Sequence, residues 1–385
     1  MKLIKVNPYK RLVATQMLGE SVVIYPLYSI MFGDRSGISA AGVGTLLAIW
    51  QIVQILAEVP TGIIADRFSK KYSIIAGKLG KTLCFVIWFL FPNFWGYLAG
   101  FVLWGIGEAF ISGAVQAYLY ELDPDNTSHF LKKYSRLKSL NMFAYTVTYF
   151  ITFLIGPRYQ LLIGISAVTM LTSVFLATLL PQSKPRAVAI KSKDIVMEAK
   201  DTVLKSKVLI FKFVRGLTIA GVLGMLIETI VVNYRDYGME PRLVPLLISF
   251  STLFSAVSFW LLHTYEGFVR RHYVGCTLFF LAIFLVCFQL GLWYQIFGLF
   301  LIARYLRVLA VMLESDLQDG LPDGSRATII SGYSLSEKLL TAGFIFIVGI
   351  SAVNNSIVVP TMVAIVLSCV VFTLINMPNR KSAKM

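Results

Sequence analysis

The sequence predicts an all-α membrane protein of twelve transmembrane helices, arranged as two pseudo-symmetric six-helix bundles. Three observations lead to this prediction. Hydrophobic residues make up 57% of the 385 residues and charged residues only 14%, too few to cover the surface of a soluble domain. Apolar runs long enough to cross a bilayer recur along the whole chain. Finally, backbone groups in lipid must be hydrogen-bonded within their own segment, so these runs form helices.

The predicted spans follow one another closely, with one long interruption. They lie at 12–32, 41–64, 73–92, 96–121, 137–156, 159–180, 209–233, 243–263, 273–292, 295–317, 328–351 and 355–377. The interruption begins with Pro181 and Pro185 and continues as a short basic amphipathic segment at 194–204. It divides the chain into an N-terminal six-helix bundle (1–180), a cytoplasmic linker (181–208) and a C-terminal six-helix bundle (209–385).

Lys and Arg residues are concentrated in the loops on one side of the predicted membrane. The loops of the other side hold only Arg35, Arg158, Arg235 and Arg242. Cytoplasmic loops carry such an excess of basic residues, so we expect a multi-pass protein of the cell inner membrane with both termini in the cytoplasm. Basic loops beside anionic lipid also account for most of the net charge of +15, without nucleic acid as a partner.

The loop after the second predicted span carries the motif GIIADRFSKK, from Gly62 to Lys71. It resembles the G-x-x-x-D-R-x-G-R-R/K signature of the major facilitator superfamily, with Ser69 and Lys70 in place of Gly and Arg. The preceding EVPTG, which starts at Glu58, is similar to the E-x-P-T-G form of one bacterial branch of this superfamily. The resemblance extends over essentially the whole chain and implies a secondary transporter with a substrate site between the two bundles.

Acidic and basic residues frame the corresponding loops of both predicted bundles. The resemblance implies that Asp66 faces the eleventh helix when the transporter is closed to the cytoplasm. By analogy we expect Glu121 to pair with Arg136 and Asp316 with Arg326. The expected gate residues are Glu58, Gly62, Asp66, Arg67, Lys70, Lys71, Glu121, Arg136, Asp316 and Arg326.

Ionisable residues near the predicted mid-bilayer are the main functional candidates, because each costs roughly 2.5 to 3.5 kcal/mol to insert. Glu20 and Glu108 lie in the N-terminal half. A carboxylate in a partly dry cavity can take up a proton near neutral pH, so we expect both to couple transport to protons. Arg304, Arg307 and Lys338 lie in the C-terminal half and are expected to bind an anionic or zwitterionic substrate, since Arg forms bidentate contacts with carboxylates.

Other side chains complete the predicted substrate cavity. They are Gln51, Gln54, Gln116, Tyr25, Tyr28 and Glu228. The alternative is that the deep charges pair with one another as fixed structural bridges, for instance Glu314 or Glu337 with an Arg. Two further lysines, Lys78 and Lys81, are expected to extend towards the cytoplasmic headgroups.

The leading functional expectation is proton-coupled efflux of a small organic compound, either a drug-like molecule or a secreted metabolite such as a metallophore. One alternative is a proton symporter that imports an organic anion or a siderophore-like carboxylate. A second is a non-transporting membrane receptor or scaffold. No catalytic triad, metal-ligand cluster, redox or nucleotide motif is found, so we expect no enzymatic activity, no metal and no cofactor. The expected partners of this monomer are its small-molecule substrate, protons and the lipid bilayer.

Overall fold

The computed structural model describes residues 7–122, 130–182, 201, 203–232, 240–290, 292–318, 321, 326–350 and 358–376. Some side chains within these helices lie outside the described part, among them Asp66, Glu228 and Arg326. The predicted amphipathic segment at 194–204 also lies mostly outside it. Over the described residues the chain forms thirteen helices of nine or more residues and no strand.

Seven of these helices belong to the N-terminal half. They are α1 (Pro8–Glu20), α2 (Tyr28–Ser36), α3 (Ala40–Arg67), α4 (Lys70–Leu90), α5 (Phe94–Glu121), α6 (Phe130–Ile155) and α7 (Tyr159–Thr178). Capping side chains explain where three of these helices begin. The backbone N–H groups of the first turn have no partner within a helix. The side chains of Asn7, Ser39 and Asn93 accept hydrogen bonds from such groups at the starts of α1, α3 and α5.

The remaining six helices form the C-terminal half. They are α8 (Lys207–Val232), α9 (Leu243–Arg271), α10 (Tyr273–Gln289), α11 (Leu292–Gln318), α12 (Arg326–Ile350) and α13 (Val358–Asn376). Each of α3 to α13 corresponds to one predicted span, and α1 and α2 together correspond to the first. The prediction of an all-α fold with twelve spans is therefore confirmed.

The first span departs from its prediction as one continuous helix, because the chain leaves helical geometry between Glu20 and Tyr28. Pro26 lies in this break and has no backbone N–H to donate. Side chains of α6 and α7 bind the freed backbone groups: Thr152 donates to the Val23 carbonyl oxygen at 2.6 Å, and the Ile24 N–H donates to Ser166 at 3.2 Å. A broken helix is stable at membrane depth only where neighbouring helices supply such partners.

Close packing of α4 on α5 depends on small residues at their crossing. A Cβ atom on Gly77 would overlap with the Gly107 carbonyl oxygen, and one on Gly80 would lie 3.0 Å from the Leu103 carbonyl oxygen. Without a hydrophobic force between helices in lipid, such close approach provides the van der Waals contact that holds them together. This crossing fixes the face of α4 that points into the protein.

The two halves meet along two seams, one between α6 and α9 and the other between α3 and α12. In the first seam, Ser139 donates to the Ala256 carbonyl oxygen at 2.7 Å and the hydroxyl groups of Thr146 and Thr252 lie 2.9 Å apart. These polar contacts connect helices of different halves deep within the spans.

The outer surface of the bundle is covered with large apolar side chains, such as those of Leu56, Val168, Phe175 and Phe254. A soluble protein does not expose so extensive an apolar surface. Among the described helices, α4, α5, α7 and α9 are long and apolar enough to cross a membrane by length and composition. Several of the others carry the buried charges described below, which lowers their mean hydropathy. We call the side on which α1 begins and α13 ends the terminal face.

Candidate functional site

A buried ion pair between α4 and α5 lies in the interior of the N-terminal half. Lys81 and Glu108 are 2.9 Å apart, and the Lys81 side chain is only 3% exposed. Its ammonium group also lies 5.9 Å from the ring centre of Tyr25 and 5.3 Å from that of Trp104, within the range of cation–π attraction. The expectation that Lys81 extends to the headgroups is wrong, because the α4 face that carries it packs against α5.

Lys78 is buried in the same way, and its predicted orientation is also wrong. Its ammonium group donates to the Thr15 carbonyl oxygen and to the Gln16 side-chain oxygen, both at 3.2 Å. A Cβ atom on Gly19 would collide with this ammonium group, so the glycine leaves the space that the lysine occupies. Lys78 therefore connects α4 to the last turns of α1, next to the break in the first span.

Glu20 is the last residue of α1 and lies at the beginning of that break. Tyr145 of α6 donates a hydrogen bond to its carboxylate. Arg307 of α11 contacts the same helix, because it donates to the sulfur of Met142 at 3.4 Å. Glu20 and Arg307 thus both contact α6, one from the broken helix of its own half and the other from the opposite half.

The arginines of α11 differ from the lysines of α4, since no carboxylate among the described residues forms an ion pair with either one. Arg304 donates to the Ser251 carbonyl oxygen and lies 5.7 Å from the ring centre of Phe254, while its Nη1 atom is buried without a hydrogen-bond partner. Within the described part, Arg307 donates one hydrogen bond, to the sulfur of Met142 at 3.4 Å. Buried cations without a counter-charge are costly, and an anionic ligand would supply one.

Lys338, which we expected to bind substrate, instead forms an ion pair with Glu58, which we expected at the gate. Glu58 is completely buried and also accepts a hydrogen bond from Ser112 of α5 at 2.6 Å. This contact joins α3 and α5 of one half to α12 of the other. Lys338 remains close enough to Glu108 to influence it electrostatically.

Gln116, another predicted substrate residue, belongs to a second connection between the halves, nearer the terminal face. Its amide donates to Glu314 at 2.6 Å, and Gln318 donates to its side-chain oxygen at 2.9 Å. Tyr134 also donates to Glu314, at 2.7 Å. Glu314 is therefore held by neutral donors, and no arginine of the described part forms the expected bridge to it.

Two of the expected gate pairs have other partners in the structure. Glu121 pairs with Lys70, which the turn from α3 into α4 brings to the end of α5, while Arg136 lies over the ring of Trp260 at 5.6 Å. Asp316 pairs with Arg270 and, at 2.6 Å, with Arg215. Arg270 is also 2.7 Å from Glu266. The expected pair of Glu121 with Arg136 is thus replaced by an ion pair of Glu121 with Lys70, whereas the expected pair of Asp316 with Arg326 falls on a side chain outside the described part.

The other predicted residues are spread over the bundle. Tyr25 packs against Trp104 and Tyr145, whereas Tyr28 lies in an aromatic cluster with Phe32, Trp88 and Phe101. Gln54 is buried and Gln51 is partly buried on α3. Gly62 is buried in α3, Arg67 lies over the Phe68 ring, and Lys71 is partly buried at the start of α4. The side chains of Asp66, Glu228 and Arg326 lie outside the described part.

Lys78, Lys81 and Tyr145 are the residues of this site that the sequence interpretation missed. Tyr145 and Tyr149 are spaced by four residues and so share a face of α6, which was an available signal. For the two lysines the sequence offered no comparable signal, because their depth is compatible with either direction of the side chain.

Comparisons with known proteins agree on one family. The family model of the Major Facilitator Superfamily matches residues 12–342. An uncharacterized transporter of Buchnera aphidicola is 26% identical over 317 residues, covering 77% of each chain. The multidrug resistance protein MdtH of Shigella dysenteriae is 31% identical over 108 residues, which cover 28% of this chain and 27% of that protein. The crystal structure of the human organic anion transporter MFSD10 superposes with a TM-score of 0.72 at 13% identity, covering 95% of this chain and 99% of that one, and this shows the shared fold.

Proposed function

Because the chain belongs to the major facilitator superfamily of membrane transporters, we propose that it moves a small organic compound across the inner membrane by proton-coupled alternating access. The observation that carries the proposal is the pair Arg304 and Arg307. Among the described residues neither forms an ion pair with a carboxylate, and Arg307 reaches across to α6 of the other half. Arginine recognises carboxylates and phosphates through parallel hydrogen bonds, so the substrate carries an anionic group.

The proton binds at Glu20, in the half opposite to Arg304 and Arg307. This carboxylate lies at a helix break, as in transporters whose binding sites are built from discontinuous helices. Tyr145 of α6 donates to it, and Arg307 contacts the same helix through Met142. Protonation of Glu20 removes a negative charge from the site, and so changes the affinity of the site for any charged ligand that contacts it. Glu108, about a third exposed and paired with Lys81, is the second proton site.

The charge of the substrate decides the direction of coupling. A zwitterion can place its cationic group on Glu20 and its anionic group on Arg304 and Arg307. Its cation then competes with the proton for one carboxylate, and the result is exchange. Proton-driven export of a zwitterionic compound is our leading proposal, and the local likeness to a multidrug resistance protein supports export.

A substrate with only an anionic group behaves differently at the same site. Protonation of Glu20 then removes a repelling charge and strengthens substrate binding, so the proton and the anion travel together. Proton symport of an organic anion is therefore the second candidate, and the unpaired arginines favour it. A non-transporting receptor for an anionic ligand would also use the arginines, but it would not need the proton site.

Transport assays in proteoliposomes test the proposal. An imposed pH gradient is applied, and proton flux is followed with a fluorescent dye after adding pools of zwitterions, organic anions or organic cations. We expect zwitterions to drive protons against the direction of substrate movement. Arg304→Gln combined with Arg307→Gln should reduce transport of carboxylate-bearing compounds at least tenfold, while Arg158→Gln, an exposed arginine at the opposite end of the bundle, should not.

The outcomes separate the candidates. Flux of protons together with anions would replace export by symport. Equal transport of carboxylates by the double variant and by wild type would contradict the role of the arginines. Ligand binding without any substrate movement in either direction would support the receptor.

A further inference from the structure

A basic pocket of about 270 Å³ opens at the terminal face, away from the proposed substrate site. It is lined by Tyr9 of α1 and by Lys132, Lys133 and Arg136 of α6. The Tyr9 hydroxyl donates to the Lys133 carbonyl oxygen at 3.1 Å, which holds the start of α1 against α6. The pocket is therefore formed by two helices in fixed contact.

The lining of the pocket is rich in cationic side chains. Three of its four lining residues are cationic, and in the described part of the chain no carboxylate pairs with Lys132 or Arg136. Lys132 and Arg136 lie in the first two turns of α6, where the helix dipole adds further positive potential. Cations at the start of a helix are unfavourable unless an anion is present, so the arrangement favours a negatively charged ligand.

The pocket also continues into a lipid-facing surface. Lys132 and Arg136 are exposed and one turn apart on α6, and the same side of the helix continues with exposed Phe143, Val147 and Phe150. The guanidinium group of Arg136 lies 5.6 Å from the ring centre of Trp260 on α9, and this tryptophan is itself 48% exposed. A ligand with a phosphate at one end and acyl chains at the other matches this order of charge, aromatic ring and apolar surface.

We propose that this pocket binds the phosphate of an anionic phospholipid headgroup, with the acyl chains lying along α6. Basic pockets between membrane helices are known to hold such headgroups. Because Arg136 also contacts Trp260 of the other half, the bound lipid lies at the seam between α6 and α9. This site differs from the substrate site in its location, its ligand and its residues.

The test compares lipids on the purified full-length protein. Binding of phosphatidylglycerol and phosphatidylcholine is measured by native mass spectrometry and by thermal unfolding in detergent. Each basic residue near an anionic surface contributes roughly fivefold to binding, so Lys132→Gln combined with Arg136→Gln should weaken phosphatidylglycerol binding about 30-fold. The control, Lys207→Gln combined with Arg271→Gln, makes the same charge change on exposed residues of the same face and should leave the binding unchanged.

Additional measurements separate a lipid site from a site for a soluble anion. Inorganic phosphate and glycerol 3-phosphate are tested alone, and stabilisation by either to the same extent as phosphatidylglycerol would overturn the lipid in favour of a soluble anion. Equal binding of phosphatidylglycerol by the pocket variant and by the control would overturn the site. If the double variant does not fold, Lys132→Gln alone, at an exposed position, should still weaken binding about fivefold.

Discussion

Lys338 of α12 donates a hydrogen bond to the carboxylate of Glu58 on α3, and this ion pair joins the two halves of the protein. The carboxylate is fully buried and accepts a second hydrogen bond from Ser112. Removal of one partner leaves the other charge buried without compensation. A rearrangement that separates α3 from α12 must therefore break this ion pair or replace it. The contribution of the pair to the stability of the observed conformation can be measured with variants.

Glu58→Gln should destabilise the protein by about 3 to 5 kcal/mol, because Lys338 keeps its charge and loses its partner. The double variant Glu58→Gln with Lys338→Met should recover most of this loss, since no buried charge remains. Thermal unfolding in one detergent measures both. Glu240→Gln, at an exposed position, is the control, and a Glu58→Gln protein as stable as this control would show that the pair contributes little.

Glu20→Gln should abolish uphill, proton-driven transport while substrate binding persists. Glutamine keeps the size of the side chain and still accepts the hydrogen bond from Tyr145, but it cannot exchange a proton. Uptake in proteoliposomes under an imposed pH gradient is compared with downhill exchange without a gradient. Undiminished uphill transport by a stable variant would remove Glu20 from the coupling mechanism.

Variants of Lys81 and Glu108 test whether Glu108 is a proton site or one half of a fixed structural ion pair. Lys81→Met alone should lower the melting temperature, because the partly buried carboxylate of Glu108 loses its only ion-pair partner in the described structure. Adding Glu108→Gln should restore the melting temperature. If Glu108 carries protons, the restored double variant will still have lost most proton-driven transport, whereas normal transport by that variant would identify the pair as structural.

Gly77→Ala should destabilise the crossing of α4 and α5 by about 1 to 3 kcal/mol, the usual cost of overpacking a tight contact. Gly164→Ala is the matched control, since a Cβ atom on Gly164 would meet no atom of a neighbouring helix within 4 Å in the described part. There the better helix propensity of alanine should leave stability unchanged or slightly higher. Similar melting temperatures for the two variants would contradict the close packing.

Topology can be tested with reporter fusions. Fusions after Lys10, within 184–207 and at Met385 should report the cytoplasm, and fusions near Arg35 or Arg158 should report the opposite side, because basic residues are retained on the cytoplasmic side. A reporter at Met385 on the outside would contradict the predicted orientation of the twelve spans.

Sequence alone determined the number and approximate position of the membrane helices. Each helix satisfies its own backbone and meets lipid through its own apolar residues, so length and hydropathy within one segment are sufficient. For the same reason the unusual deep charges could be identified at Glu20, Glu108, Arg304, Arg307 and Lys338 before any contact was known. Their depth is a property of the segment in which they lie.

Tertiary structure alone decided which of these charges have partners. Lys81 points inward because glycines on α4 and α5 bring those helices together, and Lys338 meets Glu58 because α12 packs on α3 across the seam. The break after Glu20 likewise depends on Thr152 and Ser166 of other helices. A hydrogen bond or ion pair between helices depends on their relative rotation and separation, and those quantities are set by packing of the whole bundle rather than by any one segment.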